Sequence, residues 1–377
     1  MKKILSLVMV VVILCASIVG CSSSVPSEEQ PASSVPSAAP ASTPATVVSS
    51  GNEAAQATAE ILNTGLTPLP LKNEKPVIGW VETRFNHPWR VAQMNQFQQE
   101  MERLGVDWDL TIIDGNNDPN KQVSDIEDLI AKDCDIILLS PVTSEELATA
   151  TKKVRDAGIP MIIVDRYVAG TDWDYAVEVD NTMLGVKMAE KIVEDANGAE
   201  VEVVCFSLPA GSSAQIDQDN GFNSVIANHP NIKIVATYDT VVMKTYDTKG
   251  DRQTAMEQAE ASLIAYPDAW YYTQADEAAF GIIAAAKLLD KECGENGVHI
   301  YTANHSREAL EEVKAGNLMC VVTTPLCAIE ACNLVNQILL GEKPPFKEQN
   351  GGEPEIIICE SSVITQENAS EFETLVY

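Results

Sequence analysis

Short runs of consecutive apolar residues alternate with amphipathic segments through most of the chain. Residues 76–81 form an apolar run that contains β-branched side chains, and in residues 89–104 the apolar positions recur at helical spacing. The alternation continues to another apolar run at residues 161–164. Strands that are apolar on both faces and separated by amphipathic helices are typical of a parallel sheet covered by helices on both sides. This part of the sequence therefore predicts an α/β fold.

The alternation begins again near residue 181 and continues to residue 340. Two successive units of similar size predict two doubly wound, Rossmann-like lobes, with a ligand site in the cleft between them, outside the carboxyl ends of the strands. The predicted strands are residues 76–81, 110–113, 134–139, 161–164, 201–206, 232–237, 269–272 and 298–302. The predicted helices are residues 89–104, 120–131, 145–157, 181–195, 213–228, 249–265, 277–290 and 306–315, and segments 318–322 and 325–340 complete the pattern.

The first residues have a different pattern, which indicates export. Lys2 and Lys3 precede an apolar stretch at residues 4–19, which is short for a membrane-spanning helix and ends in Gly20-Cys21. This run resembles a bacterial lipoprotein signal, which implies that residues 1–20 are removed and that Cys21 is lipidated. An ordinary secretory signal is the alternative. Residues 21–71 are rich in Ser, Pro and Ala and are predicted to be a flexible tether, so the expected location is the outer face of the cell membrane.

The net charge of the chain limits the kinds of partner that it can bind. The 377 residues include 55 acidic and 25 basic side chains, for a formal net charge of -30. A chain this acidic repels nucleic acid and anionic lipid headgroups, so we predict no nucleic-acid partner.

The residue patterns typical of catalysis do not occur in the sequence. It contains no Gly-x-Ser-x-Gly motif, no Walker loop and no His-Glu-x-x-His motif, and its four histidines are scattered singly. The prediction is therefore a protein that is not an enzyme, without catalytic residues, metal or cofactor.

Seven of the nine cysteines lie beyond Cys21, and this odd number argues against a full disulfide framework. One disulfide among the four cysteines nearest the carboxyl end remains an alternative: Cys320, Cys327, Cys332 and Cys359.

Polar and aromatic residues at the predicted strand ends suit a sugar. Sugars offer pairs of hydroxyl groups and an apolar C–H face, so their sites combine side chains that bond two oxygens with planar aromatic rings. Asp165 and Arg166 adjoin at the end of a predicted buried strand, although a local salt bridge or helix cap is the alternative for them. Phe85, Trp89 and Tyr167 are the loop candidates for aromatic contact, and simple packing at a helix start is the alternative for Trp89.

Several stretches resemble the sugar-binding proteins of bacterial ABC importers, in the ribose/galactose-type periplasmic-binding-protein group. They are Asp165-Arg166, Asp180-Asn181, Gly211-Ser-Ser-Ala214 leading to Gly221-Phe222, Ala275-Asp276-Glu277 and residues 308–316. The resemblance covers residues 72–377 and implies a type I periplasmic-binding-protein-like fold that captures a sugar for a membrane permease. Trp89-Arg90 and Asp114-Gly115 are most similar to the galactofuranose-binding type.

The second predicted lobe departs from the pattern of that family. Gln218 stands where family members have an arginine, Ala275 where they have an asparagine, Asn304 where they have an aspartate, and Thr323 where a glutamine is usual. The neutral replacements lead us to predict a neutral polyhydroxylated ligand, a monosaccharide or a polyol. The predicted ligand-binding residues are Phe85, Asn86, Trp89, Arg90, Asp114, Asp165, Arg166, Gln218, Asp276, Asn304 and Thr323.

The resemblance also implies a topology in which the chain crosses three times between the lobes. It places residues 72–180 and 324–360 in the first lobe and residues 181–323 and 361–377 in the second, with the lobes closing on ligand about a hinge. A monomer that delivers its ligand to an ABC permease is the expected assembly. The alternative is a sensor that presents a sugar or signalling furanose to a membrane receptor kinase. A cytoplasmic repressor with the same core is contradicted by the export signal.

Overall fold

Two six-stranded sheets, each flanked by helices, organise the chain in this computed structural model, which describes residues 66–208, 210–239 and 248–377. These residues belong to one unit, Ile61–Tyr377. The predicted signal at residues 1–20, the lipidated Cys21 and nearly all of the tether lie outside the described residues. Within the described part of the chain, no helix is both long enough and apolar enough to cross a membrane.

The first sheet is parallel. Its strands are β1 (Val77–Glu82), β2 (Asp109–Asp114), β3 (Ile136–Leu139), β4 (Met161–Asp165), β5 (Tyr175–Val179) and β11 (Glu355–Cys359), in the order β11-β5-β4-β3-β1-β2. The associated helices are α1 (Pro88–Leu104), α2 (Pro119–Ala131), α3 (Ala148–Asp156) and α9 (Ala328–Leu340). Strands β1, β3 and β4 are buried along their whole length, which explains why they are apolar on both faces.

The second sheet has the same plan with one antiparallel edge. Its strands are β6 (Val201–Ser207), β7 (Ile232–Asp239), β8 (Trp270–Thr273), β9 (Ile300–Ala303), β10 (Cys320–Val322) and β12 (Val363–Ile364), in the order β12-β10-β9-β8-β6-β7. The associated helices are α4 (Asn181–Ala196), α5 (Ser213–Ile226), α6 (Thr248–Ala265), α7 (Asp276–Leu288) and α8 (Arg307–Lys314). Strand β12 pairs antiparallel with β10. The predicted α/β class with two doubly wound sheets is confirmed.

Local sequence signals set many of the helix starts. Asp118, Asp180, Ser212 and Ser306 each cap a helix by accepting a hydrogen bond from a backbone N–H in its first turn. Pro88 begins α1 at a position where the missing N–H costs nothing. These caps place the helix starts next to the carboxyl ends of the strands, where the site lies.

Three strands were not predicted from the apolar pattern. In strand β5, Glu178 interrupts the run of apolar residues. In the edge strand β11, more exposed and less exposed positions alternate, and Ile356 and Ile358 are exposed. Strand β12 has two residues. A strand at a sheet edge or with a charged interruption lacks the continuous apolar run that identified the central strands.

The chain passes between the sheets three times: after β5, between β10 and β11, and between β11 and β12. The second and third passages lie side by side, because the Thr323 N–H donates to the Ser362 carbonyl (2.8 Å) and the Ser362 N–H donates to Thr323 Oγ1 (2.8 Å). We define residues 323–327 as the second crossing and residues 360–362 as the third crossing. The lobe bounds given above stay a prediction.

Candidate functional site

A cavity of about 90 Å³ lies between the two sheets and is lined from both. The first sheet contributes residues that follow β1, β3 and β4, together with the start of α1. The second sheet contributes residues that follow β6, β8 and β9, together with residues of α4 to α7. The lining therefore gathers at the carboxyl ends of parallel strands, the expected place for a ligand in this architecture.

A buried ionic network forms the first-sheet side of the cavity. Arg90 Nη2 lies 2.6 Å from Asp165 Oδ2, and Arg90 Nη1 lies 3.4 Å from Glu82 Oε1. Arg166 Nε lies 3.5 Å from the same Asp165 oxygen. Because Glu82, Arg90 and Asp165 are buried and Arg166 is only 16% exposed, each charge depends on its neighbours for compensation. The local salt bridge that was the alternative role for Asp165 and Arg166 therefore does form, and it forms in the wall of the cavity.

Burial and neighbouring charges shift the pKa values in this network. Burial raises the pKa of Glu82, although Arg90 beside it acts in the opposite direction. Burial would lower the pKa of Arg90, but Asp165 and Glu82 outweigh it and the pKa rises. Burial and the nearby Arg90 lower the pKa of Arg166 to about 10, which still leaves it charged at neutral pH. Arg90 is therefore the most firmly held cation of the cavity wall.

Aromatic surface on this side comes from Trp89. Its indole is 4% exposed, and Nε1 donates to the Thr324 carbonyl (2.9 Å), which ties the start of α1 to the second crossing. The Arg90 guanidinium carbon lies 4.6 Å from the centre of the Trp89 ring. His87 precedes this helix, and burial followed by the charges of Arg84 and Arg90 lowers its pKa well below 6.5, so its imidazole is neutral at pH 7.

Side-chain amides dominate the second-sheet side. Gln218 Nε2 donates to Asn181 Oδ1 (3.0 Å), and within the described residues the buried Gln218 Oε1 has no hydrogen-bond partner. Gln274 Nε2 donates to Asp219 Oδ1 (2.6 Å). Asn304 Nδ2 donates to Asp276 Oδ1 (3.2 Å). An amide can donate and accept, so this wall can bond hydroxyl groups without adding charge.

Close helix packing brings Gln218 to the cavity. A Cβ on Gly185 of α4 would lie 2.1 Å from the Gln218 carbonyl oxygen, and a Cβ on Gly221 of α5 would lie 2.0 Å from the Thr182 carbonyl oxygen. Both glycines are therefore required for α4 and α5 to approach this closely.

Ionic side chains of both signs line the cavity. Three arginines, Arg84, Arg90 and Arg166, line it together with three carboxylates, Asp165, Asp251 and Glu277. Arg84 Nη2 lies 3.8 Å from Asp251 Oδ2, an ion pair between the loop after β1 and helix α6. Burial, followed by the neighbouring Asp276, raises the pKa of Glu277 to about 7.

The structure brings six of the eleven predicted ligand residues to the cavity: Trp89, Arg90, Asp165, Arg166, Gln218 and Asn304. Phe85, Asn86 and Asp276 instead border a second, more open groove of about 850 Å³. Asp114 accepts a hydrogen bond from Asn116 and lies outside the lining, and Thr323 is bonded to Ser362 while Thr324 faces the cavity. The ligand contacts predicted for these five residues have no support from the cavity geometry.

Sequence reasoning did not identify several cavity residues. Arg84 lies in the same loop as Phe85, and the pattern offered no way to choose between them. Gln274 follows β8 and was recognisable as a strand-end amide. Asp251 lies inside a helix far along the chain, so only tertiary structure brings it to Arg84.

Among the described residues, no cluster of three or more His, Cys, Asp or Glu side chains has the arrangement to hold a metal ion. The site consists of hydrogen-bonding and ionic side chains.

Residues 78–343 match the family model described as periplasmic binding protein domain, and the chain belongs to this family. Its members are non-enzymatic solute-binding proteins that work outside the cytoplasm, and its sugar-binding relatives are components of ABC transporters. The resemblance noted in the sequence is therefore confirmed.

Individual relatives agree with this assignment. The chain is 26% identical over 276 residues to the ribose import binding protein RbsB of Salmonella typhimurium, covering 72% of this chain and 88% of RbsB. It is 30% identical over 161 residues to the galactofuranose-binding protein YtfQ of Escherichia coli, covering 42% of this chain and 50% of YtfQ. The fructose-binding periplasmic domain of a hybrid two-component system has a similar fold, with a TM-score of 0.69 at 20% identity, covering 80% of this chain and 94% of that domain.

Proposed function

We propose that this protein is an extracellular solute-binding lipoprotein that captures a neutral polyhydroxylated small molecule, a monosaccharide in particular, and delivers it to an ABC importer. The observation that carries the proposal is that the arginines of the cavity wall already have carboxylate partners: Asp165 holds Arg90 and Arg166, and Asp251 lies 3.8 Å from Arg84. A charged ligand would leave an uncompensated charge in this buried space, whereas a neutral ligand leaves the pairs intact.

The size of the cavity supports a single sugar ring. At about 10–15 Å³ for each water molecule, a cavity of about 90 Å³ has space for about six to nine waters. Displacing that number of waters suits a small molecule with several hydroxyl groups. An oligosaccharide would need the adjoining groove as well.

Closure on the ligand is the proposed mechanism. The cavity is lined from both sheets, so a ligand inside it contacts both walls at once, and only a closed form can make all of these contacts. The Arg84–Asp251 pair adds a direct bond between the two walls. The permease is then proposed to recognise the closed form, and the site performs no chemistry on its ligand.

Anchoring through lipidated Cys21 and the tether to residue 71 completes the proposal. A long polar tether allows the two lobes to reach the permease while the acyl chains remain in the membrane. We propose that the protein acts as a monomer, with lobes formed by residues 72–180 plus 324–360 and by residues 181–323 plus 361–377.

A sensor is the second candidate. The fold shared with the fructose-binding domain of a hybrid two-component system favours it, because the same closure can signal to a receptor kinase. Deletion of the gene would separate the two: loss of uptake of the labelled ligand supports an importer component, and loss of a transcriptional response with normal uptake supports a sensor.

Ligand screening tests the proposal. Purified protein is examined by thermal shift and calorimetry against ribose, arabinose, galactose, xylitol and myo-inositol, with galacturonate and glucosamine as charged counterparts. We expect stabilisation by at least one of the neutral compounds and by neither of the charged ones. A response confined to charged or apolar compounds would contradict the proposal. A Cys21→Ser variant that stays in the membrane fraction would contradict the anchor.

A further inference from the structure

Helix α1 has a buried amide next to the two residues that it contributes to the cavity wall. Trp89 and Arg90 line the cavity, whereas Gln93, about one turn further along the helix, lies outside the lining. The Gln93 side chain is 0% exposed. A buried amide that faces neither solvent nor a cavity needs partners inside the protein, so its hydrogen bonds indicate its role.

Both ends of the Gln93 amide are occupied. Its Oε1 accepts a hydrogen bond from Arg90 Nη1 (3.3 Å), and its Nε2 donates to the Leu326 carbonyl (2.6 Å). Arg90 Nη1 is the same nitrogen that lies 3.4 Å from Glu82 Oε1. Gln93 therefore bonds a cation of the cavity wall through one atom and a backbone carbonyl of the second crossing through the other.

The second crossing is held at two further points. Trp89 Nε1 donates to the Thr324 carbonyl (2.9 Å), so α1 bonds two carbonyls of this crossing, at Thr324 and Leu326. On the opposite side, Thr324 Oγ1 accepts a hydrogen bond from the backbone N–H of Asn304 (3.3 Å), a cavity residue that follows β9. Residues 324–326 thus join the cavity lining of both sheets.

The third crossing is held by a helix of the second sheet instead. Lys187 of α4 donates from Nζ to the Ser361 carbonyl. The backbone hydrogen bond between Thr323 and Ser362 then joins the two crossings to each other. Since α1 holds one crossing and α4 the other, we expect rotation between the sheets to bend the chain near the Thr323–Ser362 pair while residues 324–326 stay with α1.

We propose that Gln93 is a positioning residue that couples the cavity to the second crossing. It orients the Arg90 side chain and fixes residues 324–326 to α1, so that both are in place when the lobes close. The inference rests on the proposed function, closure around a ligand. Removal of the Gln93 amide takes one partner from Arg90 and one from the Leu326 carbonyl, and a crossing released from α1 is expected to favour the open form.

Hydrogen exchange tests the attachment without any ligand. Gln93→Met keeps the length of the side chain and removes both hydrogen bonds. We expect peptides that cover residues 323–327 to exchange about 10-fold faster, because local opening costs less free energy without the bond to Leu326. Peptides from β3 and β4 should stay protected. An unaltered rate at the second crossing, or equal acceleration in β3 and β4, would overturn the inference.

Tyr175→Phe is the matched control. Tyr175 of β5 is a buried first-sheet residue whose hydroxyl donates to a backbone carbonyl, that of Pro344 (2.7 Å), and it lies outside the cavity lining. This variant should leave exchange at the second crossing unaltered. Acceleration there equal to that in Gln93→Met would contradict a specific role for Gln93.

A second variant covers the case in which Gln93→Met does not fold, which circular dichroism reports. Gln93→Glu retains an oxygen for Arg90 and places another oxygen against the Leu326 carbonyl, so only the bond to the crossing is lost. Exchange at residues 323–327 should rise in this variant too. An unaltered rate would contradict the attachment.

Ligand release separates a positioning role from a merely structural one. Stopped-flow measurements with the compound identified by the screen should show dissociation about 10-fold faster in Gln93→Met and association changed by less than about 2-fold. Rates equal to those of Tyr175→Phe would refute the coupling. If no neutral compound binds the unaltered protein, the proposed function fails, and the exchange measurement, which needs no ligand, still decides whether Gln93 holds the second crossing.

Discussion

The two walls of the cavity use opposite chemistry at matching positions. Asp165 ends β4 and Asn304 follows β9, and both have left-handed backbone conformations, with φ of +74° and +72°. Asp165 is a carboxylate held by the arginines Arg90 and Arg166. Asn304 is an amide held by the carboxylate of Asp276. The same turn at a strand end thus carries a carboxylate on one wall and an amide on the other.

This difference separates two tasks. The charged wall is fixed by its own ion pairs, so it presents a rigid surface whose charges are already compensated. The amide wall retains unused capacity, since the buried Gln218 Oε1 has no partner among the described residues. We infer that the first wall sets the shape and stability of the site and that the second determines which hydroxyl pattern is accepted.

The largest expected effect comes from breaking the charged wall. Asp165→Asn leaves Arg90 and Arg166 without their shared carboxylate, and losing one partner of a buried pair costs about 3–5 kcal/mol. Urea denaturation should show this loss in the free energy of unfolding. Asp156→Asn breaks an exposed pair with Lys152 and should cost no more than about 1 kcal/mol. Equal losses in the two variants would refute the distinction.

A second effect concerns a carboxylate behind the charged wall. Burial, followed by Asp165 and Asp217, raises the pKa of Glu178 to about 7. As the pH falls, Glu178 therefore binds a proton near pH 7 in the folded state but only near pH 4.5 in the unfolded state. Because folding makes this carboxylate harder to ionise, its ionised form destabilises the fold. Glu178→Gln should be more stable than the unaltered protein by about 2–3 kcal/mol at pH 8, and the advantage should disappear by pH 4.5.

Unfolding free energies of both proteins at pH 4.5, 6 and 8 measure this difference. Because the histidines are unchanged, their contributions cancel in the comparison. An advantage that is the same at all three pH values would rule out titration of Glu178 as its cause.

The amide wall should affect binding more than stability. Gln218→Leu removes the amide that faces the cavity, and losing one or two hydrogen bonds to a ligand should weaken binding about 10–100-fold. Calorimetry with the compound identified by the screen measures the change. Asn223→Ala alters an exposed amide on the same helix and should leave binding unchanged. Unaltered affinity in Gln218→Leu would exclude Gln218 as a ligand contact.

The smallest effect is expected at the contact between the walls. Arg84→Gln removes the ion pair to Asp251, which is long at 3.8 Å, and we expect a loss of affinity of about 2–5-fold, mainly through faster dissociation. Stopped-flow release of the same compound measures it. Lys75→Gln, which breaks an exposed pair with Asp107 away from the cavity, serves as the control. If both variants release ligand at the unaltered rate, the ion pair has no part in closure.

Sequence reasoning identified the central strands and many of the site residues for a local reason. Buried strands such as β3 need apolar side chains on both faces, and residues that end such strands, such as Asp165 and Asn304, are placed by chain connectivity at the cavity edge. It did not separate Arg84 from Phe85, because neighbours in one loop point in directions that the sequence does not encode. It missed β11 for the related reason that an edge strand has no fixed apolar pattern.

The sequence by itself determined the alternating α/β elements, the two-sheet plan and the family, because burial of strands and capping of helices leave a periodic record in neighbouring residues. Tertiary structure alone decided which charges meet. Arg90 joins Glu82 and Asp165 from three separate elements, and Arg84 meets Asp251 across the cavity. Ion pairs depend on distances between residues far apart in the chain, and no local pattern records those distances.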